Sequence, residues 1–335
     1  VTANAANRLI AHYVDNFRDL PWRAPPGTAP PDPYRVWLSE VMLQQTTVAA
    51  VTPRFERFLA RWPTVEAVAP AQDDEVLSEW AGLGYYARAR NLIACARAVA
   101  GRGGFPTTEE ELKKLPGIGD YTAAAIAAIA FGRRALVMDT NVERVVARLH
   151  AIEAPVAESK PRLGELLDAM TPDDRAGDFA QAMMDLGATI CRPRAPGCER
   201  CPLNSDCLAK ASGDPERFPA PKRKTVRPVR YGVAHWIERN DRLWLVRRPT
   251  KGILGGMAAL PGPEWTNEPQ SAGPVLGRVS HTFTHFRLEL TVVPSAAAFG
   301  DGWWQALGAL ADAGLPTLYR RAIESVLSSR SALAA

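Results

Sequence analysis

The chain has 335 residues, enough for two domains at ~150 residues each. It is 47% hydrophobic and 23% charged, an ordinary globular balance that excludes a disordered or collagen-like chain. No apolar run reaches the ~18 residues of a membrane-spanning helix, and no signal-peptide core opens the chain, so a cytoplasmic protein is expected. The net charge of +4 leans only slightly towards nucleic acid.

In chain order, residues 1–20 carry a helical stripe of Leu9, Ile10, Tyr13, Val14 and Phe17. A Pro-rich loop follows the string Leu20-Pro21-Trp22-Arg23 and lasts to Pro33. The spacing then predicts a helix over 34–48, with Trp37, Leu38, Val41 and Met42 as its apolar stripe and Glu40 off its centre. Further helices are expected near 50–61, 64–69, 73–80, 85–101 and 108–115. Pro116 closes the last of these. Helices near 141–151, 160–170 and 177–190 complete an all-α region.

Residues 115–141 hold the most informative stretch. The string Leu115-Pro116-Gly117-Ile118-Gly119-Asp120-Tyr121 feeds an Ala-rich helix over 122–131. Gly117 and Gly119 permit positive φ and close backbone approach. A helix opening on bare N–H groups binds an anion without any side chain, and in a nucleic-acid protein that anion is a backbone phosphate. Asp139 follows where the chain re-enters a helix.

Four cysteines crowd into 17 residues with the spacing C-x6-C-x2-C-x5-C: Cys191, Cys198, Cys201 and Cys207. Thiols so clustered in a cytosolic chain point to metal rather than disulfide. Zinc sites usually pair two C-x2-C units, so longer arms around a single C-x2-C favour a [4Fe–4S] cluster, with zinc the alternative. Cys95 reads as a small core residue.

Glu40 sits among apolar residues, where desolvation raises a carboxyl pKa and keeps a proton near neutrality. Asp139 is its natural ionised partner. A proton donor and a carboxylate across a sugar are the apparatus of glycosidic cleavage. The bland readings are a solvated helix residue for Glu40 and an N-cap for Asp139.

Composition shifts at 211–230, a Pro-rich basic segment; residues 210–230 hold seven Lys/Arg against two acids. It reads as an extended linker, either laid along phosphates or simply solvated. From Tyr231 the period becomes two. Tyr231 to Glu238, an Asn240-Asp241 turn and Leu243-Trp244-Leu245-Val246 suggest a hairpin. A long alternating run covers 279–293, and a closing helix is expected over 316–327, so this part is α+β.

The 115–121 hairpin, Asp139 and the cysteine loop together resemble the helix-hairpin-helix DNA glycosylase superfamily. The strings Leu20-Pro21-Trp22-Arg23, Ser39-Glu40-Val41-Met42-Leu43-Gln44-Gln45-Thr46 and Gly82-Leu83-Gly84-Tyr85-Tyr86-Ala87-Arg88-Ala89-Arg90-Asn91 look like its adenine DNA glycosylase branch. The likeness is close over 8–210 and looser over 231–328. It implies a helical catalytic region at 1–210, a linker at 211–230 and a Nudix-like recognition domain at 231–328.

The implied activity is removal of adenine opposite 8-oxoguanine or guanine in duplex DNA by a monomer with a [4Fe–4S] cluster. Glu40 is then implied to protonate the base, Asp139 to stabilise or attack the sugar cation, and Asn141 to orient the water or carboxylate. Tyr121 would touch the reacting site, Arg23 and Asp185 would meet the adenine, and Gln45 and Tyr85 would wedge into the base stack. A phenol at 121 replaces the lysine that the related endonuclease III branch uses for a Schiff base, so little strand nicking is expected. Thr140 stands where the family often has glycine, beside the carboxylate.

In the second domain the string Phe283-Thr284-His285 replaces the family's Phe-Ser-His and keeps a hydroxyl for the oxidised base. Between Gly252 and Gly277 only Glu264 and Glu268 are acidic, too few for a Mg²⁺-holding helix, so this domain should read the lesion and hydrolyse nothing. An endonuclease III-like lyase and a non-catalytic DNA-binding protein are the alternatives.

Overall fold

A computed structural model describes residues 3–221, 227–249, 252–270, 273–283 and 285–334. The chain divides into two compact units, Val1–Arg223 and Lys224–Ala335.

The first unit is helical, as expected. Its helices are α1 (Ala3–Asp15), α2 (Pro33–Leu43), α3 (Val48–Arg61), α4 (Val65–Val68), α5 (Asp73–Glu79), α6 (Ala87–Arg102), α7 (Glu109–Leu112), α8 (Asp120–Phe131), α9 (Thr140–Leu149), α10 (Val156–Asp168), α11 (Ala176–Asp185) and α12 (Leu208–Ala211). Helix α8 is the hub. Thr122 to Ala130 are all buried, because alanines let neighbouring helices approach closely on every side. One apolar core gathers α2 to α8; a second joins α1, α9, α10 and α11.

Helix α2 ends at Leu43, earlier than the apolar stripe suggests, and Gln44–Thr46 turn away to start α3. Helix α11 relaxes after Asp185 into a wider π-helical turn, Leu186–Ile190, that leads to the cysteines. The expected linker is also shorter. Phe218 is buried, its carbonyl accepts from Arg148 Nε (3.0 Å), and Arg217 pairs with Glu153, so residues to about 220 belong to the first unit. Residues 222–226 lie outside the described ones.

The second unit is α+β. One sheet runs β1 (Val229–Trp236), β6 (Arg287–Pro294), β5 (Gly277–Thr282), with β1 parallel and β5 antiparallel to β6. The other joins β2 (Glu238–Arg239), β3 (Arg242–Arg247), β4 (Ala258–Ala259) and β7 (Gly302–Ala306). The expected hairpin is therefore confined to β2 and β3, turning at Asn240 and Asp241 with φ of 49° and 55°. The long strand before it pairs instead with β6. The alternating run at 279–293 is two strands folded on each other. Their connecting turn carries Phe283 and His285, so these residues do not alternate across one strand. Helix α13 (Thr317–Ala334) packs Leu318, Ala322, Ile323 and Val326 into the core.

Candidate active site

Asp32 caps α2 by accepting from Tyr34 N at 2.7 Å, and Pro33 fits the first turn. The helix is buried on nearly all sides, and Glu40 goes under with it at 7% exposure. That overturns its reading as a solvated residue. Tyr121, in the first turn of α8, donates from its hydroxyl to Glu40 Oε2 at 2.8 Å and stands 3.2 Å from Met184 Sδ. Burial raises the Glu40 carboxyl to about 7; the Tyr121 hydrogen bond pulls it down, Asp139 pushes it up and Arg23 pulls it down. Burial also lifts Tyr121 well above an ordinary phenol, so it stays neutral. Glu40 is thus a proton donor that is available near neutrality.

Asp139 caps α9. Its Oδ1 accepts from the N–H groups of Asn141 (2.9 Å) and Val142 (2.8 Å), and its Oδ2 accepts from Asn141 Nδ2 at 2.9 Å. The cap and the candidate carboxylate are one group: the helix start aims it. Asn141 Oδ1 accepts in turn from Arg144 Nη2 at 2.9 Å, and the same nitrogen donates to Gly187 O at 2.8 Å. Arg144 Nε reaches Cys191 O at 2.8 Å, so a continuous chain of contacts joins the carboxylate to the cysteine loop. Gly187 must be glycine, since a Cβ there would lie 2.6 Å from Asn141 Cβ. Thr140 is exposed and leaves the cap intact.

Arg23 and Asp185 meet as a bidentate pair, Nη1 to Oδ2 at 2.5 Å and Nη2 to Oδ1 at 2.9 Å. Arg18 adds a third bond to Oδ1 at 2.9 Å. A single cleft of about 730 Å³ is lined by Arg23, Glu40, Gln45, Tyr121, Asp139, Asn141 and Asp185, large enough for a nucleoside. Sequence reasoning missed Arg18, Met184, Glu143 and Lys160 on this cleft, and Arg144 behind it. Arg144 alone had a signal, its i+3 spacing from Asn141.

Tyr85, Gly117 and Gly119 stand outside the cleft. Tyr85 is 57% exposed, and Gln45 is exposed at the cleft edge. Both have left-handed backbones, φ 47° and 55°, a strain of roughly 1–3 kcal/mol each. Gly117 has φ 74° and lies against Asn91, where a Cβ would come within 2.6 Å of Asn91 Cβ. Gly119 departs from expectation: its φ is −92°, and it serves as an N-cap without a side chain, leaving the start of α8 open to an anion.

Cys191, Cys198, Cys201 and Cys207 line one small cavity with Arg148, Asn204 and Lys210. No set of three or more His, Cys, Asp or Glu among the described residues converges on a single-ion site. Burial pushes the Cys201 thiol up to about 11 and raises Cys207, so these thiols ionise only against a positive group. Arg148 binds the carbonyls of Arg192 (2.6 Å) and Pro193 (2.9 Å) and holds the loop to α9.

In the second unit Phe283 packs on His281, Phe286 and Trp265, with centroids 4.7, 4.9 and 5.6 Å away. Arg248 covers Trp265 at 4.5 Å and donates to the Tyr319 hydroxyl at 2.9 Å. His285 is exposed, and Thr284 lies outside the described residues.

A family model described as HhH-GPD superfamily base excision DNA repair protein matches residues 38–168, and a NUDIX domain model matches residues 232–325. An adenine DNA glycosylase of Mycobacterium tuberculosis is 41% identical over 64% of this chain and 70% of its own length. The chain belongs to the adenine DNA glycosylase family. The human adenine DNA glycosylase is 34% identical over 85% of this chain, which spans 65% of that relative's length. Among solved structures, a thermostable thymine-DNA glycosylase matches 62% of this chain and 95% of its own at a TM-score of 0.55 and 29% identity. Among the described residues, no helix is long and apolar enough to cross a membrane.

Proposed function

We propose that this adenine DNA glycosylase family member hydrolyses the N-glycosidic bond of adenine opposite 8-oxoguanine, or guanine, in duplex DNA. One observation carries the reading: a carboxyl held near pKa 7 and a carboxylate fixed by three N–H groups share one nucleoside-sized cleft. Adenine flipped out of the stack enters the cleft. Glu40 gives its proton to the base, and the C1′–N9 electrons leave with it. Asp139 meets the positive charge left on the sugar, by electrostatics or by a bond to C1′. Asn141 orients the carboxylate and the water that completes hydrolysis. Arg23 and Asp185 form the polar wall against the base, and the open end of α8 at Gly119 receives a backbone phosphate.

Tyr121 offers no amine, so the reaction stops at the abasic site. The four cysteines, which line one cavity, would hold a [4Fe–4S] cluster, a group that takes four thiolates. Binding there would cross-link the loop behind Arg144. The Phe283-Thr284-His285 string reads the 8-oxoguanine. A single copy acting on DNA in the cytoplasm suffices.

The test is single-turnover release of adenine from duplexes carrying 8-oxoguanine or guanine opposite. Release without strand nicking supports the reading. Efficient β-elimination by pure protein would favour the endonuclease III-like lyase, and binding with no release would leave a DNA-binding protein.

A further inference from the structure

Arg88 opens α6 from beneath the surface, and the mechanism above has no use for it. Its guanidinium faces two separate segments. Nη1 donates to the carbonyls of Val41 (2.8 Å) and Met42 (3.2 Å), two of the acceptors left unpaired at the end of α2. Nη2 donates to Leu83 O (2.8 Å), more weakly to Gly84 O (3.4 Å), and approaches Thr46 Oγ1 (3.5 Å). Trp80 Nε1 also donates to Gly84 O, at 3.0 Å. The cation lies against the rings of Trp80 (5.3 Å) and Tyr85 (5.6 Å). Nε is buried without an acceptor.

The first segment reaches Gln45 after Leu43 and Gln44, and the second runs directly into Tyr85. Both are exposed residues with left-handed backbones. A left-handed residue persists only where its surroundings over-determine it. Here one planar fork of donors fixes the backbone before both.

We propose that Arg88 is a positioning residue that sets Gln45 and Tyr85 at a fixed separation as a two-pronged wedge, and so acts on extrusion of the base rather than on cleavage of its bond. This rests on the reading of Gln45 and Tyr85 as wedges. Lysine cannot replace it, because one ammonium on a flexible stem cannot span both sets of carbonyls.

The experiment compares adenine release from two duplexes. In one the adenine·8-oxoguanine pair is flanked by matched pairs; in the other, flanking mismatches have already loosened the stack. Arg88→Met and Arg88→Lys should slow release from the matched duplex by about tenfold or more, and from the loosened duplex by less than about threefold. The fall in rate with rising pH, set by Glu40, should stay in place. Equal losses on both duplexes, a displaced pH profile, or wild-type rates for both variants would overturn the proposal. If Arg88→Met does not fold, Arg88→Lys alone decides by the same ratio. Tyr85→Ala and Gln45→Ala separate the two readings: no loss confined to the matched duplex in these would sink the wedge itself, whereas such a loss in them and not at Arg88 sinks only Arg88.

Discussion

The cleft in the first unit and the aromatic turn in the second are built on opposite plans. Around Glu40 and Asp139 three of the four carboxyl oxygens have a named hydrogen-bond partner, and Glu40 is almost wholly buried. Around Phe283 the side chains are held by ring packing, and His285 faces solvent. The difference fits the tasks proposed for them. A carboxyl keeps its proton near neutrality only where water is excluded. A reader must stay open until its base arrives. On the proposed function, chemistry rests on desolvation and recognition on access, and mutations in the two places should fail in different ways.

The largest effects should come from the cleft. Glu40→Gln removes the proposed general acid and should lower single-turnover release by about 10³-fold, within the usual 10²–10⁴ for a general acid, with duplex affinity changed only a few-fold. Retention of more than a tenth of the rate would break the comparison. Asp139→Asn should match that loss. The pH dependence comes next. The active form of Glu40 is protonated, so release should fall as pH rises through about 7. The sign for stability is the same: a carboxyl raised in the folded state contributes fully below its ordinary range and loses that contribution as pH climbs past 7.

In the second unit, Phe283→Ala should leave release from adenine·guanine duplexes nearly unchanged. It should cut the advantage of 8-oxoguanine by about tenfold, the value of one or two lost contacts. Equal losses on both duplexes would erase the division of labour. The smallest effect expected is at Tyr121→Phe. It removes a hydrogen bond that favours ionised Glu40, so the falling limb of the pH profile should move upward with little change in the plateau.

Local patterns made most of the helices and the cysteine loop legible, with Glu40 and Asp139 as candidates; the other expected residues of the cleft came from the family resemblance. What stayed hidden depends on long-range placement. Strand β1 reads as half of a hairpin, but its parallel partner β6 lies some fifty residues on, and no local period encodes that choice. The burial of Glu40 was an inference from neighbours; the Tyr121 hydroxyl that meets it comes from a helix 81 residues away. Gly119 looks like a positive-φ residue because its composition permits one, yet the turn needs that freedom only at Gly117. The early end of α2 was hidden because Leu43 and Gln44 suit a helix well enough, and the exit is fixed by contacts from α6.

The cap on α9 has a practical consequence. Because Asp139 starts a helix and is also the carboxylate proposed to face the sugar, its replacements separate into two kinds. Alanine would remove about 1 kcal/mol of helix capping along with the charge, so a dead variant could simply be a loosened one. Asparagine caps as well as aspartate does and keeps an oxygen for the same N–H groups. It should therefore give a folded protein that binds the flipped nucleotide and holds it uncut, a trap for the complex that precedes bond breaking.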